Sequence, residues 1–140
     1  PMNDMKDTHD GKVWLNRKPG MHSLNSENGE ILWSSITDKE CKEININCDP
    51  GISAAVTAIP GAVIAGHLDG MLRVYDKENG EILWSFNSLG NYESISGTPA
   101  SGGSFSGSGP SVRNGYMAIN SGYGLYNHMP GNALLLFSIE

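Results

Sequence analysis

The sequence predicts an all-β fold of repeated antiparallel units, and three observations carry that expectation. The octamer Glu27-Asn28-Gly29-Glu30-Ile31-Leu32-Trp33-Ser34 recurs whole as Glu78-Asn79-Gly80-Glu81-Ile82-Leu83-Trp84-Ser85, fifty-one positions on. Gly accounts for 18 of 140 residues, nearly double the average usage of about 7%. Asn-Gly, Asp-Gly and Pro-Gly pairs separate short apolar runs, the pattern of strands joined by tight turns. A period of about fifty residues built this way marks a β-propeller or a similar array, with four antiparallel strands to each blade. Such units bury their faces against neighbours and need several copies. Two units and a remnant do not close a ring, so the pattern predicts a fragment of a longer propeller.

Composition narrows the function classes. Only 17% of residues are charged, against about 25% in ordinary domains, and the apolar runs are strong, so the chain is not a disordered segment. A formal charge of −6 gives no electrostatic footprint for nucleic acid or an anionic membrane. No run of eighteen apolar residues is present, so no membrane span is predicted. The start, Pro1-Met2-Asn3-Asp4-Met5, has neither a basic n-region nor an apolar h-region.

Taken in order, residues 1–34 read as a partial blade. They hold a short strand at 12–16, another at 21–25, the Asn28-Gly29 turn and a return strand at 30–34. Asn-Gly there implies a two-residue hairpin with positive φ angles. Residues 35–52 form a polar connection holding Cys41 and Cys48. Residues 53–86 form a complete blade. Its strands fall at 53–59, 62–66, 71–75 and 82–86, with turns at Pro60-Gly61, Asp69-Gly70 and Asn79-Gly80. The first of these is apolar almost throughout, as a strand buried on both faces would be. Residues 87–110 are a Gly/Ser-rich connection in which the glycines, Gly97 among them, argue against regular structure. Residues 111–140 form a final partial blade, with strands at 111–113, 116–120 and 132–139, the last read as buried. The Trp repeat reads as scaffold: Trp33 and Trp84 occupy equivalent outer-strand positions, where an indole can wedge between blades. Burying such a ring removes roughly 150–250 Å² from water, worth at most about 4–6 kcal/mol.

The two units resemble the tryptophan-docking motif of quinoprotein dehydrogenases. Ser53-Ala54-Ala55-Val56-Thr57-Ala58-Ile59-Pro60-Gly61 and Leu68-Asp69-Gly70-Met71-Leu72-Arg73-Val74-Tyr75-Asp76 resemble the last full blade of the polyvinyl-alcohol dehydrogenase-like members. Asn120-Ser121-Gly122-Tyr123-Gly124 and Met129-Pro130-Gly131-Asn132-Ala133-Leu134-Leu135 resemble their carboxyl-terminal end. The resemblance covers roughly residues 20–139. It implies an eight-bladed propeller holding pyrroloquinoline quinone and Ca²⁺ in the full-length protein. It also implies oxidation of an alcohol substrate, cytochrome c as electron acceptor, and the remainder of the propeller as a partner. It places the enzyme in the periplasm, with the export signal outside these residues. No stretch matches the family's base or calcium ligands, so no catalytic residue is assigned. The alternative is a non-catalytic propeller serving as a protein-binding scaffold in the cell envelope. In the resemblance a cysteine precedes the Asp-Pro-Gly element, as Cys48 does here. An exported family implies a Cys41–Cys48 disulfide, with free thiols as the other reading.

Strand order sets the candidate site. Connections between blades, and those joining second to third strands, share one rim, which gathers 35–52, 67–70, 87–110 and 121–131. Functional residues commonly sit on such loops. The candidates for cofactor contact are Tyr92, Glu93, Gly103, Ser104 and Tyr123. Glu93 is the sole carboxylate of its loop, and Gly102-Gly103-Ser104 is read as a run of backbone N–H groups for an anionic quinone. Asn127 and His128 line the last loop. Lone histidines of this kind, His67 and His128, read as surface residues.

Overall fold

The computed structural model describes residues 19–37, 48, 51–124 and 126–139. The expected strand at 12–16 and most of the connection 35–52 lie outside these residues. Among the described residues there are eleven strands and no helix, and every strand pair is antiparallel. β1 (Gly20–Leu24) pairs with β2 (Ile31–Ile36). Next, β3 (Thr57–Ile59), β4 (Ala62–Gly66), β5 (Met71–Asp76) and β6 (Ile82–Asn87) form a four-stranded sheet in chain order. β7 (Asn91–Glu93) and β8 (Pro99–Ser101) form a small hairpin. β9 (Ser111–Arg113), β10 (Tyr116–Ser121) and β11 (Ala133–Ser138) complete a three-stranded sheet. The four-stranded meander is a propeller blade.

Sheets stack face to face because successive side chains alternate across each strand. Met21 of β1 and Trp33 of β2 pack on Val63, Ala65 and Tyr75 of the four-stranded sheet. That sheet's opposite face, with Ile64, Leu72, Val74 and Phe86, meets Met117, Ile119, Leu135 and Phe137 of the last sheet. Phe105, from the connection after β6, closes this second cluster at 1% exposure. Its ring requires a glycine beneath it: a Cβ on Gly66 would lie 2.5 Å from the Phe105 Cβ.

The repeated Trp does different things in its two copies. Trp33 Nε1 donates to the Lys77 carbonyl at 2.9 Å, and the indole lies against Gly80, the glycine of the second octamer. Trp84 stacks on Phe86 at 6.2 Å and meets the edge of Phe137 at 5.5 Å, yet stays 41% exposed. It borders an apolar groove of about 500 Å³ shared with Val112, Tyr116 and Ile139.

Four expectations are corrected. The turns at Asn28-Gly29 and Asn79-Gly80 are not two-residue hairpins, since only Gly29 (φ 75°) and Gly80 (φ 76°) are left-handed. Each is a longer loop in which an upstream side chain caps the backbone. Asn25 accepts from the Glu27 N–H, and Asp76 accepts from those of Glu78 and Asn79. Asn114-Gly115, with φ of 49° and 79°, has both residues left-handed, as a type I′ turn requires. Second, the strand expected at 53–59 is paired only over Thr57–Ile59, and Ala55 is exposed. Ahead of it the Ala55 carbonyl lies against Gly109, and where pairing begins the Thr57 hydroxyl donates to the Pro110 carbonyl. Third, the connection 87–110 contains the β7–β8 hairpin, and Gly97 (φ 75°) makes its turn rather than preventing it. Fourth, β11 is not buried on both faces, because Leu134 and Leu136 are 68% and 63% exposed.

The two glycines of the octamer give an internal control. Gly29→Ala adds a methyl group where nothing lies within 4 Å, so only the left-handed backbone costs, about 1 kcal/mol. At Gly80 a Cβ would fall 2.4 Å from the Trp33 ring, and Gly80→Ala is expected to cost about 3 kcal/mol in all. Urea midpoints of the two variants check this difference.

Candidate functional site

Four loops meet on one rim, and Ser104 joins three of them. Its hydroxyl donates to the Leu68 carbonyl and accepts from the Met129 N–H at 3.1 Å. Its own N–H donates to the Met129 carbonyl, and its carbonyl accepts from Gly122, both at 2.9 Å. The Leu68 N–H reaches the Gly51 carbonyl, which brings in the described end of the fourth loop, and the Phe105 N–H reaches the His67 carbonyl. Beside Ser104, the Gly103 N–H donates to the Ser121 hydroxyl at 2.9 Å, and its carbonyl lies 3.0 Å from the hydroxyls of Ser88 and Ser121. Gly102 donates to the Gly90 carbonyl. The N–H groups of Gly102, Gly103 and Ser104 are therefore all spent inside the fold. They do not form an open anion nest, because a buried peptide must satisfy itself before it can serve a ligand.

The other three candidates come together. Tyr92, Glu93 and Tyr123 line a cleft of about 670 Å³ between the β7–β8 hairpin and the start of β11. Tyr92 donates to the Ser88 carbonyl and Tyr123 to the Asn132 carbonyl, each at 2.8 Å. Burial raises the Tyr92 pKa above its ordinary value, so its phenol stays protonated and keeps that bond. Asn132 fixes the cleft's width by exchanging two bonds with Ser101: its Oδ1 accepts from the Ser101 N–H at 2.7 Å, and its N–H donates to the Ser101 carbonyl at 2.8 Å. One wall is polar, with Glu93, Ser94, Ser96 and Thr98; the other carries Leu134, Leu135 and Leu136. Hydroxyls facing aliphatic carbon suit a neutral amphipathic ligand. The cleft does not fit an anionic quinone, since the residues lining it include a carboxylate and no cation. Among the described residues no three His, Cys, Asp or Glu side chains converge on a metal-sized site. Cys48 is held in a disulfide; Cys41 lies outside the described residues.

Beneath the rim sits a polar cluster that sequence reading missed. His67 is not a surface residue but fully buried, with Tyr75 (0%), Asp69 (1%) and Arg73 (3%) around the same strand pair. Arg73 grips Asp69 through two bonds of 2.8 and 3.2 Å, and Asp69 also accepts from the Met71 N–H. His67 Nε2 lies 2.8 Å from the Tyr75 hydroxyl, while Nδ1 is buried without a partner. Either tautomer leaves one ring nitrogen unsatisfied. The Asp69-x-x-x-Arg73 spacing across a tight turn was the available signal. His128 too is half-buried, its Nδ1 enclosed. No helix of the described residues is long and apolar enough to cross a membrane.

No family model matches the chain. It is 35% identical over 133 residues to a polyvinylalcohol dehydrogenase of Pseudomonas sp, and 32% identical over 135 residues to one of Sphingopyxis sp. (strain 113P3). The chain is similar to these two polyvinylalcohol dehydrogenases. Each match takes in 88% of this chain but only 21% of the relative.

The buried imidazole makes stability pH-dependent. Desolvation, and second the Arg73 charge, lower the His67 pKa from 6.5 to about 2. Between those values the unfolded chain binds a proton that the folded one does not, so this contribution is full above pH 6.5 and falls on acidification. The expected slope well below 6.5 is about 1.4 kcal/mol per pH unit. Urea titrations at pH 4 to 7 should show it, and His67→Gln should remove that component whatever its own cost in stability.

Proposed function

We propose that this chain supplies blades and a rim cleft to a quinone-dependent dehydrogenase of secondary or polymeric alcohols. One observation carries the reading: the 35% identity, across 88% of the chain, to a protein named polyvinylalcohol dehydrogenase. The cleft supports it chemically. Its Glu93 carboxylate, Tyr123 and the Ser94, Ser96 and Thr98 hydroxyls are suited to an alcohol's O–H, and Leu134 and Leu136 to its carbon chain. In this reading Tyr92, Glu93 and Tyr123 bind and orient substrate, while Gly103 and Ser104 hold the loops in register. Pyrroloquinoline quinone and Ca²⁺, which supply the oxidation, sit on groups outside the described residues. So do the remaining blades. Electrons pass to cytochrome c, and the protein works in the periplasm.

The test is dye reduction by a protein carrying this chain, loaded with pyrroloquinoline quinone and Ca²⁺ and given a secondary alcohol. Turnover that requires both additions is expected. Glu93→Gln and Tyr123→Phe should each raise KM about tenfold, the loss of one hydrogen bond's worth of binding, with a smaller change in kcat. Neither quinone binding nor dye reduction would leave the scaffold reading in its place.

A further inference from the structure

The chain holds three Asn-Gly pairs, and the fold treats them in two ways. Asparagine before glycine carries a reaction of its own, because glycine has no Cβ to keep the asparagine side chain off its nitrogen. That attack needs two freedoms. The glycine N–H must give up its proton, and the asparagine Cγ must swing onto the bared nitrogen.

Both octamer pairs are denied these freedoms by bonds inside their own loops. The Gly29 N–H donates to the Asn25 carbonyl at 2.8 Å, and the Gly80 N–H to the Asp76 carbonyl at 2.9 Å. Asn28 is held at both ends of its amide. Its Oδ1 accepts from the Glu30 N–H and its Nδ2 donates to the Glu30 carboxylate, each at 3.0 Å. Asn79 Oδ1 accepts from the Glu81 N–H at 2.8 Å. Such bonds must break before the reaction starts, and each one retained slows it by about tenfold.

Asn114 and Gly115 stand differently. They are the two central residues of the tight turn between β9 and β10, with Arg113 paired to Tyr116 across it. In a two-residue turn the ladder bonds run between the flanking residues, so the second central N–H points out of the ladder. Among the described residues the Gly115 N–H and the Asn114 amide meet no hydrogen-bond partner, and Asn114 is exposed. The bonds that protect Asn28 and Asn79 lie within their own loops, so the contrast does not rest on what a longer protein packs outside.

We propose that Asn114 is a modification site: it deamidates through a cyclic imide while Asn28 and Asn79 persist. The Gly115 nitrogen, its proton taken by hydroxide, bonds to Asn114 Cγ; the Cγ–Nδ2 bond breaks and ammonia leaves. Water then opens the imide at either carbonyl. The product is aspartate or, with the backbone rerouted through the side chain, isoaspartate. The sum is amide plus water to carboxylate plus ammonium, with no change of oxidation state. Isoaspartate lengthens the backbone inside a two-residue turn, and the Gly115 carbonyl there also accepts from the Ile139 N–H at 3.0 Å. β9 and the end of β11 therefore loosen together. The inference is independent of whether the chain serves a dehydrogenase.

A protein carrying this chain is aged in mildly alkaline buffer, digested, and mapped by peptide mass for the gain from amide to acid. Asn114 should convert about tenfold faster than Asn28 or Asn79, with isoaspartate the larger product. Ageing in concentrated urea should remove the contrast, since glycine follows all three. Asn114→Gln, whose longer side chain closes the ring far more slowly, should remove the acidic forms that isoelectric focusing resolves in the folded protein. Three results overturn the proposal. Asn28 or Asn79 converts as fast as Asn114 in the folded protein; Asn114 stays intact when folded yet converts in urea; or the contrast persists unchanged in urea. The last would assign it to local sequence rather than to the fold.

Discussion

An indole lying on a glycine holds this structure in order. Trp33 can approach the next sheet closely because Gly80 has no side chain, and its ring nitrogen then reaches the Lys77 carbonyl. One residue type supplies the bulk and another the space, and both lie in the same repeated octamer. A sheet that carries the octamer is therefore equipped to give a ring forward and to receive one from behind. The stacking direction of the sheets is encoded in a local stretch of chain rather than in long-range charge. The two clusters that follow, one around Ala65 and Tyr75 and one around Ile64 and Leu72, fill in around that alignment.

Much of this was legible in the sequence. The β4, β5, β6, β9 and β10 strands fall where alternation and turn residues put them, because a Gly with positive φ leaves little freedom in where a strand ends. What was not legible depends on partners distant in the chain. The Asn-Gly loops differ from the expected hairpins because Asn25 and Asp76, several residues upstream, cap the backbone and lengthen the turn. The stretch before β3 pairs with no strand, and the hydroxyl of Thr57, where pairing begins, donates to Pro110, over fifty residues away. Apolar content said correctly that Ala54 is buried, but not by what, and Ile52, read as part of a polar connection, is buried as well.

The candidate site shows the same division. Strand order placed the loops on one rim, and three of the five proposed contact residues, Tyr92, Glu93 and Tyr123, share a cleft. Gly103 and Ser104 lie on the same rim but face inward. A Gly-Gly-Ser run has the same appearance in sequence whether its amides serve a ligand or a neighbouring loop. Only the Met129, Ser121 and Gly90 partners decide between the two. His67 was misread for a related reason: beside a turn it has no local feature that announces burial, and the loops that cover it come from residues 51 and 105.

The manner in which Ser104 ties the rim has a consequence for how this surface can diverge. Its bonds to Leu68, Met129 and Gly122 run loop to loop, and the strands behind them keep their own ladders. The β10–β11 connection is much longer than the β4–β5 one, yet the paired strands on either side keep an unbroken register. Insertions and deletions at the rim are thus mechanically uncoupled from the blades. A lineage could resize or re-line the mouth of the cleft by changing loop length, with one serine as the fixed point and no strand obliged to slip.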